Sequence, residues 1–586
     1  MTAGSLHSRL DMARTEVLVG RAPGGVIYLR SPQELGPHAR AVGDWLVQWA
    51  HVAPSRVFLA ERQAQGDWRE LTYEQALKEV RSLAQGLLDA GAGPQHPLVI
   101  LSGNSIDHAL LALAAMHVGV PVIPVSTAYS LVDRSFGKLR HIVDLTTPAL
   151  VYVDDPVRYL QALQAIGREP LALEQLRKPA TAQVDRAFAA IGPDTVAKIL
   201  FTSGSTGVPK GVINTHRMLT VNQQQSSQVW RFTAAKPPVV VDWLPWNHTF
   251  GGNYNFNLVL SNGGTFYIDA GKPIPGQFEV SLRNLREVAP TMYFNVPRGF
   301  DMLLPYLEED AAFRRHFFSR CEFIFYAGAA LPATTWERLE RLGWQERDGD
   351  LALVSSWGAT ETSPMCAGAH APASRPGVVG LPVPGCEIKL VPNGSKLEAR
   401  VKGPHITPGY FRDPERTAQA FDGEGYYCIG DALRFVEATN PSQGLAFDGR
   451  VAEDFKLRSG TWVSVGHLRV ALLEAAGALL QDAAITGHDR DEVGALLFPH
   501  PAALGQLGLE RLRERIALAM ADCNRRTGGA SSVRIGRAIV LDEPPRVDRG
   551  EMTDKGYLNQ RAVLENRDEA VQRLYAADDL TVILPA

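Results

Sequence analysis

Cysteine is scarce in this sequence: five residues, at positions 321, 366, 386, 428 and 523, odd in number, widely spaced and without a Cys-x-x-Cys pair. That spacing argues against a disulfide framework and signals no metal or redox site, so a reducing, cytoplasmic setting fits best. An excess of one charge is also absent. The formal net charge is -4 and no long Lys/Arg run occurs, which removes the electrostatic footprint of a nucleic-acid or anionic-membrane binder. The N-terminus, M-T-A-G-S-L-H-S-R-L-D-M, lacks an apolar core of signal-peptide length. The most apolar stretch, His108 to Val125, is interrupted by His117, Gly119, Pro121 and Pro124, so it reads as a helix followed by a strand rather than a membrane span. Internal repeats and low-complexity tracts are lacking too. What remains, 45% hydrophobic and 21% charged residues over 586 positions, is a globular composition long enough for more than one domain.

Periodicity then gives a coarse architecture. Val42, Leu46 and Trp49 fall on one face of a helix over residues 39–49, and T-Y-E-Q at Thr72 has the pattern of a capping box. Leu77, Val80, Leu83, Ala84 and Leu87 form the apolar stripe of that second helix, which ends at Gly91. Strand 98–101, helix 106–117 and strand 120–125 follow at the spacing of a parallel sheet. Further short apolar runs at 149–153, 197–201, 239–243, 265–268, 292–296, 323–326 and 351–355 alternate with helical patterns. The expected fold class is therefore α/β: a large multi-subdomain N-terminal lobe with parallel sheets, over residues 1–448. From Gly377 the Gly/Pro-punctuated runs C-E-I-K-L-V and K-L-E-A-R-V-K-G predict a β-rich subdomain completing that lobe. A hinge is placed at residues 449–453 and a smaller, mobile α+β domain at 454–586.

The stretch from Ile199 to Val212 carries the chemistry. An apolar run leads into T-S-G-S-T-G-V-P-K-G, where Gly204, Gly207 and Gly211 permit sharp turns that aim backbone N–H groups at an anion. Thr202, Ser203, Ser205 and Thr206 add hydroxyls and Lys210 a positive charge. A solvent-exposed hydroxyl-rich turn is the plainer reading of such a cluster. A Walker A loop is excluded, because Pro209 stands where that motif has glycine before its lysine. The order of residues resembles instead the signature of the adenylate-forming superfamily, which includes acyl-CoA synthetases, luciferases and peptide-synthetase adenylation domains.

Later strings agree with that resemblance in order. Trp357-Gly-Ala-Thr-Glu361 follows a strand, so Thr360 and Glu361 fall at its carboxyl end, where open α/β sheets bind ligands. Alone, a Thr-Glu pair is usually a helix start. The resemblance implies Glu361 as a magnesium ligand, Thr360 at the α-phosphate, and Trp357 with Gly358 against adenine, tryptophan replacing the usual tyrosine. It implies Gly328, Ala329 and Ala330 of Y-A-G-A-A-L-P along adenine and acyl group, Asp431 of Y-C-I-G-D on the ribose, and Arg450 near the nucleotide. His248 of L-P-W-N-H-T-F matches the histidine beside the reacting acyl carbonyl. Two departures stand out: Ala452 occupies the usual first carboxylate position of the hinge motif, with Glu453 after it, and Lys555, the candidate C-terminal catalytic lysine, lacks the usual preceding glycine. A surface lysine is the other reading of Lys555.

The strings W-N-H-T-F-G-G-N-Y-N-F-N, E-D-F-K-L-R-S-G-T-W-V-S-V-G and T-D-K-G-Y-L-N-Q-R-A-V-L resemble bacterial feruloyl-CoA synthases. The resemblance implies an AMP-forming acid:CoA ligase of phenylpropanoid degradation that uses ATP, Mg²⁺ and CoA on ferulate or a related hydroxycinnamate, and it is compatible with a homodimer. Asn253, Tyr254, Asn255, Phe294 and Tyr326, with His248 and Gly328, neighbour the expected acyl pocket, although Asn and Tyr in such runs also serve as core or helix surface. Other aromatic or medium-chain acids, transfer to a carrier protein, and a non-catalytic nucleotide-binding protein remain alternatives. No carrier-like G-G-x-S-L string occurs in the sequence.

Overall fold

The structure is a computed structural model that describes residues 10–203, 208–274, 276–370, 374–394, 396–546, 549–552, 558–576 and 579–586. The chain divides into two compact units. The first comprises Met1–Lys389, Arg400–Ile429 and Phe435–Ala446, the second Leu390–Ala399, Gly430–Arg434 and Phe447–Ala586. Residues 449–453 lie within the second unit. Among the described residues no helix is long and apolar enough to cross a membrane.

Local chemistry sets the elements of the first unit. Helix Tyr73–Asp89 starts at a capping box: the Thr72 hydroxyl accepts the Gln75 backbone N–H at 3.3 Å, and the Gln75 side-chain Oε1 accepts the Thr72 N–H at 2.9 Å. Val80, Leu83, Ala84 and Leu87 are fully buried along its inner face. Strand Leu98–Leu101 is buried at all four positions, as a strand covered on both sides must be. It lies between Leu150–Val153 and Val122–Pro124, all parallel, and the latter pairs parallel with Val196–Ser203. Pro209–Thr215 closes this five-stranded sheet as an antiparallel hairpin partner of Val196–Ser203.

A second sheet orders Val239–Asp242, Thr265–Ile268, Val57–Arg62 and Trp68–Thr72, the first three parallel. In a third, Met292–Asn295, Phe323–Tyr326 and Ala352–Gly358 run parallel in register, with Asn295 opposite Tyr326 and Tyr326 opposite Ser355. Met365–Gly368 and Val378–Pro382 extend it antiparallel. The change to β-rich texture after Gly377 is realised in strands Val378–Pro382, Glu387–Asn393, Lys396–Lys402, Tyr427–Phe435 and Leu445–Arg450.

The second unit has its own core. Helices Val465–Ala476 and Pro501–Arg526 cover one face of a sheet ordered Leu480–Thr486, Val493–Pro499, Ile535–Val540 and Val582–Ile583. Leu468, Leu472, Ile485, Leu497, Ile516 and Met520 fill the space between. Leu496, Phe498, Ile539, Val563 and Leu574 pack on the other face.

Lys198 interrupts the apolar pattern of its strand. It is 5% exposed, its ammonium donates to the Gly252 carbonyl at 2.8 Å, and no carboxylate pairs with it among the described residues. Burial pushes its pKa from 10.5 down to about 7. Between these two values the unfolded chain holds one proton more than the folded chain, so this group makes stability rise with pH by about 1.4 kcal/mol per unit. Lys198→Met is expected to remove that increment. Urea unfolding of both proteins between about pH 7.5 and 9.5 checks it through the difference in slope; identical pH dependence in the two would contradict the assignment.

Candidate active site

The described residues on either side of the predicted phosphate loop form the hairpin Val196–Ser203/Pro209–Thr215, with Ser203 opposite Pro209. Gly204, Ser205, Thr206 and Gly207 lie outside the described residues, as does the side chain of Ser203. The buried Thr202 hydroxyl at the strand's end has no hydrogen-bond partner among the described residues, so a donor is left for a ligand. Gly211 has a different role from the one its motif suggested. It lies inside the second strand opposite Phe201 and its carbonyl accepts the Phe411 N–H at 2.8 Å. A Cβ there would lie 2.9 Å from Ile199 Cγ2 and 3.1 Å from the Phe201 ring, so glycine is needed for close packing, not for a turn toward an anion.

Lys210 and Glu361 meet. Lys210 Nζ is 2.8 Å from Glu361 Oε1 and donates to the Tyr410 hydroxyl at 2.7 Å; that hydroxyl lies 3.0 Å from the same carboxylate and 3.2 Å from the Tyr427 hydroxyl. Glu361 is 5% exposed. Burial favours its neutral form, but the Lys210 ammonium outweighs burial and holds the carboxyl below the usual carboxylate range. Burial lowers Lys210, and Glu361 outweighs this and raises it. The site therefore holds a buried carboxylate anion beside a cation that stays charged throughout the physiological range.

Tyr410 is a member of this group that its motif did not announce. The structure pins it by the Val212–Tyr410 bridge and by its N–H donating to the Thr417 hydroxyl at 2.9 Å. Gly409 makes this possible: at φ +143° a Cβ would lie 2.3 Å from Thr417 Cγ2. The Thr407 N–H in turn donates to the Glu361 carbonyl at 2.8 Å, so one segment holds both the backbone and the side chain of the acidic residue.

Gly328, Ala329, Ala330, Trp357, Gly358 and Thr360 lie at the carboxyl ends of the parallel strands Phe323–Tyr326 and Ala352–Gly358. Gly328, Ala329 and Ala330 are exposed in the turn after Tyr326. Trp357 is 5% exposed within its strand, and a Cβ on Gly358 would lie 1.8 Å from the Pro364 carbonyl oxygen, which excludes any larger residue. Thr360, 6% exposed, begins the one-turn helix Thr360–Thr362 that carries Glu361.

His248 caps the π-helix Thr249–Asn255, its Nδ1 accepting the Phe250 N–H at 3.3 Å. That bond leaves Nε2 as the protonated nitrogen of the neutral ring. Lys198 bonds the Gly252 carbonyl and Asn253 Nδ2 donates to Asn214 Oδ1 at 2.9 Å, so the turn after His248 is fastened to the hairpin that bears Lys210. Asn253 is 1% exposed and its amide oxygen is unpartnered among the described residues. Asn255 Nδ2 donates to Asp242 at 2.8 Å. Tyr254 packs inward: its ring stacks on Phe325 at 5.5 Å, lies edge-on to Phe294 at 6.2 Å, and its hydroxyl bonds Ser226 at 2.8 Å. Tyr326 is buried with its ring edge-on to Trp336. These aromatics form a wall of core packing.

In the second unit, Asp431 is 5% exposed and Arg450 Nε lies 3.6 Å from its Oδ1. Burial raises Glu453, with Arg450 opposing. Asp454, which the hinge motif left unremarked, is the carboxylate that pairs with Lys396 and accepts the Val465 N–H at 3.1 Å. Lys555 lies outside the described residues.

The hairpin, the buried carboxylate and the strand-end turns lie in an α/β fold of the adenylation-domain type. The chain belongs to the AMP-binding enzyme family: the family's profile matches residues 46–411, and that of the AMP-binding enzyme C-terminal domain matches residues 467–579. It is 25% identical over 574 residues to a carboxylic acid reductase of Mycobacterium tuberculosis, covering 86% of this chain and 46% of the reductase, so it spans about half of that relative's length. It is 24% identical over 592 residues to the long-chain-fatty-acid–CoA ligase FadD15 of Mycobacterium bovis, covering 88% of this chain and 94% of the ligase. Its fold matches that of the anthranilate CoA ligase AuaEII solved with anthranoyl-AMP, with a TM-score of 0.71, 20% identity and coverage of 91% and 98%. The adenylation domain of a Mycobacterium chelonae carboxylate reductase matches equally, with a TM-score of 0.71, 21% identity and coverage of 92% and 91%.

Proposed function

We propose that this chain is an AMP-forming acid:CoA ligase acting on ferulate or a related hydroxycinnamate. The observation that carries the adenylation step is the Lys210–Glu361–Tyr410 group. In the first half-reaction the substrate carboxylate attacks the α-phosphorus of ATP, giving acyl-AMP and pyrophosphate. In the second, the CoA thiolate attacks the acyl carbonyl and AMP leaves.

Lys210 and the loop donors around Thr202 steady the β- and γ-phosphates, and Tyr410 keeps Glu361 oriented as Lys210 turns to phosphate. The Glu361 donor set suits a hard cation: an ionised oxygen ligand in a buried setting. A bound Mg²⁺ would screen the phosphate charge there. Thr360 stands at the α-phosphate and Asp431 takes the ribose hydroxyls, with Arg450 beside it. His248 directs Nε2–H at the acyl carbonyl. Lys555 offsets charge as the carboxylate meets phosphorus, and the C-terminal domain beyond residue 453 then turns about residues 449–453 for thioester formation.

Support for an aromatic acid comes from the feruloyl-CoA synthase-like strings. Support for CoA as acceptor comes from relatives named as CoA ligases. The expected ranking in thioester formation is ferulate, coumarate and caffeate above benzoate and octanoate. Octanoate in first place would replace the hydroxycinnamate reading with a fatty-acid one.

A further inference from the structure

Three residues far apart in the sequence meet beneath the Glu361 segment. Cys366, Cys386 and His405 are all buried, and their sulfur and ring-nitrogen atoms lie within 4.8 Å of one another. Cys366 Sγ is 3.5 Å from His405 Nε2. Room for this group is built in: a Cβ on Gly403 would lie 2.8 Å from the His405 ring and 2.7 Å from the Gly385 carbonyl.

A metal would need a lone pair on His405 Nε2, and the surrounding hydrogen bonds place a proton there instead. The argument starts at a peptide group. Asn222 Nδ2 donates to the Met365 carbonyl at 2.9 Å and Asn222 Oδ1 accepts the Met365 N–H at 3.3 Å, so the Asn222 amide has one orientation. Its Nδ2 also donates to Gln225 Oε1 at 2.9 Å. Gln225 Nε2 consequently faces the Pro384 carbonyl at 2.9 Å and His405 Nδ1 at 3.1 Å. A donor aimed at Nδ1 requires its lone pair, so the ring proton sits on Nε2 and points at the Cys366 sulfur.

From this network we infer that Cys366 and Cys386 form an oxidisable dithiol beneath the Glu361 segment, with Cys366 as the attacking sulfur and a small peroxide as the oxidant. Burial raises the Cys366 thiol, while hydrogen bonds with Cys386, His405 and Thr362 lower it; burial and the neighbouring sulfur push Cys386 well above the usual thiol range. The shared proton thus rests on Cys386. Cys366 thiolate attacks one peroxide oxygen, breaking the O–O bond and leaving a sulfenic acid and hydroxide, which takes up a proton to become water. Cys386 then attacks that sulfur as its proton leaves, the S–O bond breaks and the oxygen departs as a second water. The sum is two thiols and one hydrogen peroxide giving one disulfide and two waters.

Disulfide formation draws Cys366 away from His405 and Thr362. Thr362 follows Glu361 directly, and His405 lies two residues before Thr407, whose N–H holds the Glu361 carbonyl. Oxidation therefore displaces the acidic residue, and this consequence rests on the role proposed above for Glu361.

The test uses the full chain, reduced with dithiothreitol and then exposed to hydrogen peroxide, with peptide mapping after alkylation and pyrophosphate release as separate readouts. The expected map shows a Cys366–Cys386 cross-linked peptide, with the remaining cysteines alkylated. Pyrophosphate release is expected to fall about 10- to 100-fold, as for an angstrom-scale misplacement, and to recover with dithiothreitol. Cys386→Ser is expected to keep its basal rate and to lose the dithiothreitol-reversible response. Three results would overturn the inference: no such peptide in the oxidised wild-type protein, the same reversible response in the variant, or zinc bound stoichiometrically and released by thiol modification. The cross-link is read by mass in the wild-type protein, so it stands or falls even if the variant does not fold or no tested acid is a substrate.

Discussion

Glu361→Gln is expected to slow pyrophosphate release by about 10²- to 10³-fold, the usual consequence of deleting one preorganised electrostatic group. The substitution keeps the shape of the side chain and leaves an oxygen to accept from Tyr410, so the change is one of charge. The wild-type carboxyl is held ionised by Lys210 at 2.8 Å although it is almost fully buried. Removing that charge weakens the site for a divalent cation, so the Mg²⁺ concentration giving half-maximal rate rises together with the fall in kcat. Loss of the buried anion also leaves Lys210 without its partner; because Lys210 is itself 21% exposed, water takes up part of that cost and the variant remains folded. Steady-state kinetics against Mg²⁺ and a thermal unfolding scan check this. A rate within about threefold of wild type, which is too small for a transition-state charge, would remove Glu361 from the catalytic machinery.

The second large effect separates the two half-reactions. Lys555→Ala is expected to lower acyl-AMP formation from acid and ATP by about 10²- to 10³-fold, while thioester formation from supplied acyl-AMP and CoA stays near the wild-type rate. The reason is positional. A cation on the C-terminal unit that offsets charge at the α-phosphorus has no task once pyrophosphate has left and another face of that unit serves thiol transfer. Single-turnover assays of each half-reaction provide the comparison. Equal loss in both would assign Lys555 to binding or folding rather than to adenylation.

Local signals carried much of this structure. The capping box at Thr72 and the stripe Val80, Leu83, Ala84 and Leu87 needed only neighbours in sequence, and the helix forms where they predict. The interruption of His108–Val125 likewise resolved into helix Ile106–His117 and strand Val122–Pro124. Lys210 and Glu361 were each legible from motifs, but not their pairing, which depends on the segment around Tyr410 crossing the hairpin that bears Lys210. Gly211 was misread because a glycine in a loop motif and a glycine under an aromatic ring look alike in sequence. Cys366, Cys386 and His405 carried no signal at all: they come together only when a strand, a turn and a loop converge, so a search for closely spaced cysteines passes over them.

The central claim, that an acyl-adenylate is made here and passed to a thiol, is tested most directly by AMP release from ATP and ferulate with CoA present and with CoA omitted. The account predicts sustained AMP turnover and feruloyl thioester only with CoA, and no more than a single pyrophosphate burst without it. Continuous AMP release independent of CoA, or none with any acid in its presence, would contradict it.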